Sequence, residues 1–339
     1  MRLLTCVLAL AAARVAGGQP LGDLSSILHN PLAILTKLPL GGLLSPTPSA
    51  PSDTSPYAPT GTPQEPASGG GIPDGQGHDF NTPSGAVRFP WNYNNNDGVV
   101  PITPRARNGG WAMSPDQMCM PGAWCPYACQ PGYYAAQWDP AAQLYNGAGS
   151  MNGGLFADAS GRLSKPFPGR PFCAPGLLNA RIRNTLKRPV SACQTIYPGN
   201  EAMLIPSVAA PGGSTVLNVV PSSYWLGTSA QYYVNLEGST AEQCIWGTPN
   251  QPVGNWGPFI FGAGQGKDGN TYISVQYNPL YLSVGFKAAD TYNVKIVCDS
   301  GNCNFPAGGQ CKCERGVCSV DNGCTVTLAA GAKASFVLY

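Results

Sequence analysis

Thr271-Tyr-Ile-Ser-Val-Gln-Tyr277 alternates along its length, with Tyr272 and Gln276 on one face and Ile273, Val275 and Tyr277 on the other. Successive side chains of an extended chain point to opposite sides, so this period of two marks a strand with one face buried. The pattern recurs at Tyr292-Asn-Val-Lys-Ile-Val-Cys298, Thr325-Val-Thr-Leu328 and Ser335-Phe-Val-Leu-Tyr339, and Val216–Val220 and Tyr232–Leu236 are two further strand candidates. Asp268-Gly269 and Asn322-Gly323 stand between such runs as hairpin turn signals. Only Leu177–Leu186 hints at a helix. Short strands separated by Gly/Pro turns predict an all-β domain, a sandwich or a barrel.

Composition agrees. Gly (43) and Pro (34) exceed a fifth of the 339 residues, and both oppose long helices, one through backbone entropy and the other through its missing donor. Charged residues make up only 11% and the net charge is +2, with no Lys/Arg run to neutralise a row of phosphates. Nucleic acid and acidic membrane surfaces are therefore poor partners, and an uncharged partner fits better.

Met1-Arg2 followed by the apolar run Leu3–Ala13 and the small residues Ala16-Gly17-Gly18 reads as a signal peptide over 1–18, with a mature start near Gln19. The run is well short of the ~20 residues of a membrane span, and no later stretch approaches that length. Residues 19–83 read as a disordered Ser/Thr/Pro/Gly-rich linker, unable to bury enough apolar surface to offset its ordering entropy, with hydroxyls open to O-linked sugars. Leu24–Leu44 is its one apolar stretch. Residues 84–339 form the folded domain.

Thirteen cysteines are present and Cys6 leaves with the signal. The remaining Cys119, Cys125, Cys129, Cys173, Cys193, Cys244, Cys298, Cys303, Cys311, Cys313, Cys318 and Cys324 are even in number and expected in an oxidising compartment, so all are assigned to disulfides of open connectivity. No metal is expected: the two histidines, His29 and His78, lie in the linker, and the Cys311-Lys-Cys313 spacing reads as bridge sulfur. The same histidine count removes a Ser-His-Asp triad. No cofactor is implied, since neither a P-loop nor a dinucleotide fingerprint follows a strand.

Met118-Cys-Met-Pro-Gly-Ala-Trp-Cys-Pro-Tyr-Ala-Cys-Gln-Pro-Gly132 has the spacing C-x5-C-x3-C and leads to Gln137-Trp138. This resembles the cysteine motif of the fungal SUN family of wall and septation proteins. Ser150-Met-Asn-Gly-Gly-Leu155, Cys193-Gln-Thr-Ile-Tyr-Pro-Gly-Asn-Glu-Ala-Met203, Ile205-Pro206, Tyr224-Trp225, Tyr232-Tyr-Val-Asn235, Cys244-Ile-Trp-Gly247, Gly254-Asn-Trp-Gly-Pro258 and Tyr277-Asn-Pro279 continue the match in order. The family pattern has a fourth cysteine soon after Gly-Gly-Leu, where this chain has Phe156-Ala157-Asp158. One family bridge is thus missing here or rewired, with Cys173 as an alternative partner. The resemblance implies secretion to the cell wall, a role in cell separation and wall morphogenesis, and binding or hydrolysis of β-1,3-glucan, the alternative being a non-catalytic glucan-binding wall protein. The architecture is also similar to that of thaumatin-like proteins.

A glucan presents apolar C–H faces and hydroxyl edges, which call for flat rings beside amides and hydroxyls. Trp246 and Trp256, in Gly/Pro/Asn-rich loop sequence with Asn255, are the first choices, followed by Trp225 and Tyr232. Hydrolysis needs two carboxyl groups, an acid kept protonated and a base or nucleophile. Eleven acids follow residue 110. Glu201 is the expected acid, with Asp139 and Glu242 as the leading partners and Glu237 and Asp268 behind them.

Overall fold

The computed structural model describes residues 71–73, 80–143, 152–195, 198–199, 204–321 and 323–339. The signal peptide, the Leu24–Leu44 stretch, nearly all of the linker and Glu201 lie outside the described residues.

Strands dominate. The first part contains β1 (Val99–Val100), β2 (Trp124–Cys125), β3 (Ala128–Cys129), β4 (Tyr133–Ala135), β5 (Leu155–Ala157), β6 (Leu163–Ser164) and β7 (Cys173–Pro175). The second contains β8 (Ala180–Asn184), β9 (Val190–Thr195), β10 (Leu204–Ala209), β11 (Ser214–Val216), β12 (Ala230–Val234), β13 (Phe259–Gln265) and β14 (Thr271–Tyr277). After the short helix α1 (Pro279–Ser283) come β15 (Val294–Ser300), β16 (Cys303–Asn304), β17 (Lys312–Glu314), β18 (Val317–Cys318), β19 (Cys324–Leu328) and β20 (Lys333–Leu338).

Two large sheets make a sandwich. One has seven strands in the order β10-β9-β12-β13-β14-β19-β16, and the other has six in the order β11-β8-β20-β15-β17-β18. All their pairings are antiparallel except β20 on β8. β14 alternates as its sequence predicts: Ile273, Val275 and Tyr277 are buried, while Tyr272 and Gln276 are partly exposed. Asp268-Gly269 closes the β13–β14 hairpin, with Gly269 at φ 81°, a conformation that side chains disfavour. Phe261 of β13 and Phe336 of β20 stack across the sandwich at 4.3 Å. Ile182, Val234, Ile273, Val294 and Val326 fill the same core.

Residues 80–175 are built differently. Three small sheets, β1-β3, β2-β5-β6 and β4-β7, surround rings instead of facing another sheet. Trp91 is fully buried, with Phe89, Tyr127 and Phe172 each 5.1 Å away and Trp111 at 6.2 Å. Each polar tip is satisfied: Trp91 Nε1 donates to Asp97 at 2.9 Å, Trp111 Nε1 to the Val87 carbonyl at 2.9 Å, and Tyr127 Oη to the Phe172 carbonyl at 2.5 Å. Phe80, which the sequence places in the linker, is buried in this cluster, so packing begins before residue 84.

All twelve expected cysteines are bridged, as Cys119–Cys125, Cys129–Cys173, Cys193–Cys244, Cys298–Cys303, Cys311–Cys324 and Cys313–Cys318. Cys173, the alternative partner that the sequence offered, pairs with Cys129. Two secondary-structure expectations are corrected. Leu177–Leu186 holds strand β8 instead of a helix, because Ala180, Ile182 and Asn184 face the core against β20 while Arg181 and Arg183 face out. Of Val216–Val220 only Val216 belongs to a strand, and the chain then leaves the sheet edge.

Candidate functional site

Where the ring-filled region meets the sandwich, aromatic side chains from three segments converge. β4 and the turn after it supply Tyr134 and Trp138, the 165–172 loop supplies Phe167, and the turn after Val220 supplies Tyr224 and Trp225. Tyr224 lies 5.1 Å from Tyr134 and 5.3 Å from Trp138, and Phe167 lies 5.2 Å from Trp138. Arg170 lays its guanidinium over Phe167 at 3.9 Å and over Trp138 at 4.9 Å, a cation–π arrangement. Trp138 and Trp225 are buried beneath, while Tyr134, Phe167 and Tyr224 are partly exposed.

The seam is held by buried Gln137. Its Nε2 donates to the carbonyls of Phe167 (3.1 Å), Arg170 (3.3 Å) and Pro171 (3.1 Å), and its Oε1 accepts from Phe167 N at 2.9 Å. One side-chain amide thus positions the whole ring-bearing loop. Next to Trp225, Leu226 is 58% exposed at φ 52°. That conformation is uncommon for a branched side chain and is held here by the Gly227 N to Tyr224 carbonyl bond at 2.8 Å and the Thr228 Oγ1 to Trp225 carbonyl bond at 2.9 Å. Burial, with Tyr134 close by, pushes the Tyr224 phenol up, so it remains a neutral hydroxyl.

Asp139 sits at the margin of the seam. It accepts from Ala141 N at 2.8 Å and from Asn152 Nδ2 at 2.7 Å. Next to it Trp138 bridges to Gly153, and a Cβ on Gly153 would fall 2.0 Å from the Pro198 carbonyl oxygen. Gly153, next to the Asn152 that bonds Asp139, therefore packs on the Pro198-Gly199 backbone, two positions before Glu201 in sequence.

The other expected carboxylates hold turns. Glu242 lies in the short 3-10 turn Ala241–Gln243 and accepts from the Thr240 hydroxyl. Ala241 lines a cleft of about 130 Å³ with Tyr93, Gln130 and Pro206. Glu237 accepts from Lys187 N at 2.9 Å and Arg188 N at 3.0 Å. Tyr272 and Asn270 donate to Asp268 and hold its carboxyl below the usual range.

Three of the expected ring and amide residues are buried. Tyr232 is 1% exposed inside the sandwich, its hydroxyl donating to the Asn218 carbonyl at 2.9 Å. Asn255 is 1% exposed: its Oδ1 accepts from Gly247 N at 2.9 Å and its carbonyl from Asn278 Nδ2 at 2.8 Å. Trp256 is buried in the loop that Asn235 and Asn278 tie down. This Gly/Pro/Asn-rich loop is thus a packed structure, with asparagine amides supplying the bonds a strand would have made. Trp246 stays half-buried, and Trp225 is covered but belongs to the seam.

Sequence reading missed Phe167, Arg170 and Asp97. Asp97 closes an asparagine-rich turn, and burial raises its carboxyl above the usual range despite Trp91 and Lys165. Its signal was the polar run Asn92–Asp97. Among the described residues no group of His, Cys, Asp and Glu suited to a metal is present, and no helix is long and apolar enough to cross a membrane.

A probable secreted β-glucosidase of Schizosaccharomyces pombe, adg3, is 44% identical over 211 residues, covering 61% of this chain and 19% of that protein. The Saccharomyces cerevisiae protein YMR244W is 36% identical over 289 residues, 77% of this chain and 78% of that one. Among solved structures the thaumatin-like xylanase inhibitor TLXI covers 47% of this chain at 15% identity and a TM-score of 0.28, too low to carry an argument. The family model described as "Beta-glucosidase (SUN family)" matches residues 88–326, across both the ring-filled region and the sandwich. This chain belongs to the SUN family.

Proposed function

We propose that this chain is a secreted wall protein that binds β-1,3-glucan along the aromatic seam and serves wall remodelling during cell separation. The seam is the observation that carries the reading: Tyr134, Phe167 and Tyr224 are partly exposed rings on a frame fixed by Gln137 and backed by buried indoles. Such rings supply large apolar area at little rotamer cost, as a neutral sugar face requires. Six bridges suit an oxidising exterior, and the family model and relatives are named for β-glucosidases.

Hydrolysis is the second reading, favoured by the Asn152-Gly153 segment, which bonds Asp139 at one residue and packs on Pro198-Gly199 at the next. There Glu201 would serve as acid and Asp139 as its partner, Glu242 being further committed to its cap.

The test incubates the full chain with insoluble β-1,3-glucan and with laminarin. The chain is expected to sediment with the polymer, and F167A/Y224A to weaken this at least about tenfold, about 1.4 kcal/mol of contact. Sugar released from laminarin by wild type and not by E201Q establishes the hydrolase, and retention without release establishes the binder. Neither retention nor release would refute the glucan reading.

A further inference from the structure

The outer face of the six-stranded sheet, away from the seam, carries an arrangement that a purely neutral ligand does not explain. β15 and β17 pair so that Lys295 stands directly opposite Lys312. Like charges facing each other across a ladder destabilise it, so such a pair needs a reason. The row continues through Val337 of β20 to Arg183 of β8, and Arg181 lies two residues along the same face. With strands ~4.8 Å apart, Arg183 begins within ~10 Å of Lys295, within reach of one shared ligand. Val337 beneath them is 4% exposed, as expected where long cationic stems lie over an apolar floor.

A cleft of about 390 Å³ opens over this row, lined by Lys295, Lys312, Glu314, Gln310, Phe305 and Tyr339. That is the size of a small-ligand site. Two carboxylates border the face. Glu314 pairs with Lys312 at 2.7 Å and accepts from the Tyr339 hydroxyl, and Asp299 accepts from Ser335 Oγ at 2.5 Å. Four cations thus face two acids. Among the described residues, Lys295, Arg181 and Arg183 have no carboxylate within 4.0 Å. Lys295 instead rests on the Tyr339 ring at 4.4 Å, a weak contact that a stronger counter-ion can replace.

We propose that this cleft binds a sugar unit bearing an anionic group, phosphate or carboxylate, with Lys295 and Lys312 on the anion and Tyr339 and Phe305 against the sugar. The site goes beyond the glucan reading and does not depend on it. A chain near neutral overall concentrates its cations where strand register aligns them.

Titration calorimetry on the full chain with glucose 6-phosphate, glucuronate, glucose and inorganic phosphate tests the proposal at low and high salt. Glucose 6-phosphate or glucuronate, whichever anion the site takes, is expected to bind with an affinity that falls as salt rises. Glucose and inorganic phosphate should bind at least about tenfold more weakly. K295Q/K312Q should abolish the binding, and R183Q, on an exposed position where folding is not at risk, should weaken it. No binding by either sugar anion, equal binding of glucose or of inorganic phosphate, or binding unchanged in both variants would overturn the site. Retention on β-1,3-glucan is read separately, so failure here leaves the glucan result standing and the reverse.

Discussion

Residues 80–175 and residues 176–339 solve the same problem, a folded β protein in a Gly/Pro-rich chain, by different means. The first has strands of two or three residues and a core of interlocked rings. The second has strands of up to seven residues, sheets of seven and six strands, and a core mostly of aliphatic side chains. Where ladders are too short to define a sheet, ring geometry and sulfur define the packing, and where ladders are long, alternation suffices. The ring-rich part also supplies most of the seam.

The largest effect should come from Trp91. Its four ring neighbours cannot collapse into the space it leaves, so W91A should cost about 3–5 kcal/mol, at the top of the large-to-small range. F261A in the sandwich removes a ring with one stacked neighbour, Phe336, and should cost less. Guanidinium unfolding followed at two wavelengths checks this. In W91A the near-ultraviolet ring signal should be lost before the far-ultraviolet strand signal, whereas coincident loss would make the two regions one cooperative unit.

The bridges sharpen the same contrast. Cys129–Cys173 spans 44 residues and Cys313–Cys318 spans 5. Loop-closure entropy then assigns about 4 kcal/mol to the first and about 2 kcal/mol to the second. Melting of C129S/C173S against C313S/C318S measures the difference, and equal losses would show that unfolded-chain entropy is not what separates them.

The smallest effect concerns Asp97. Burial raises its carboxyl in the folded chain, so Asp97 holds its proton to higher pH there than in the unfolded chain. Its stabilising contribution is therefore fully present below the unfolded carboxylate pKa and is lost as pH rises through the higher folded value. D97N keeps an acceptor for Trp91 and cannot ionise, so its stability should be flatter across that window than wild type. A pH series of melting temperatures reads this, and parallel curves would remove Asp97 as the cause.

Much of the fold was legible. Thr271–Tyr277 became β14 with the faces its alternation assigns, because a half-buried strand must write its two environments into alternate residues. The site was less legible. Trp256 and Asn255 looked like open loop positions, yet Asn235 and Asn278 bury them through bonds between residues 19 or more apart in sequence. Phe167 gave no local sign, since only the Gln137 amide, 30 residues away, brings its loop to Trp138.

The amino-acid order by itself determined the strand class, the bridged state of the cysteines and the family, since alternation, cysteine parity and motif spacing are all local or countable. Tertiary structure alone decided which cysteine takes which, that Leu177–Leu186 contains a strand paired with β20, and which rings face solvent. The reason is that these depend on contacts between segments far apart along the chain, where packing outweighs local preference.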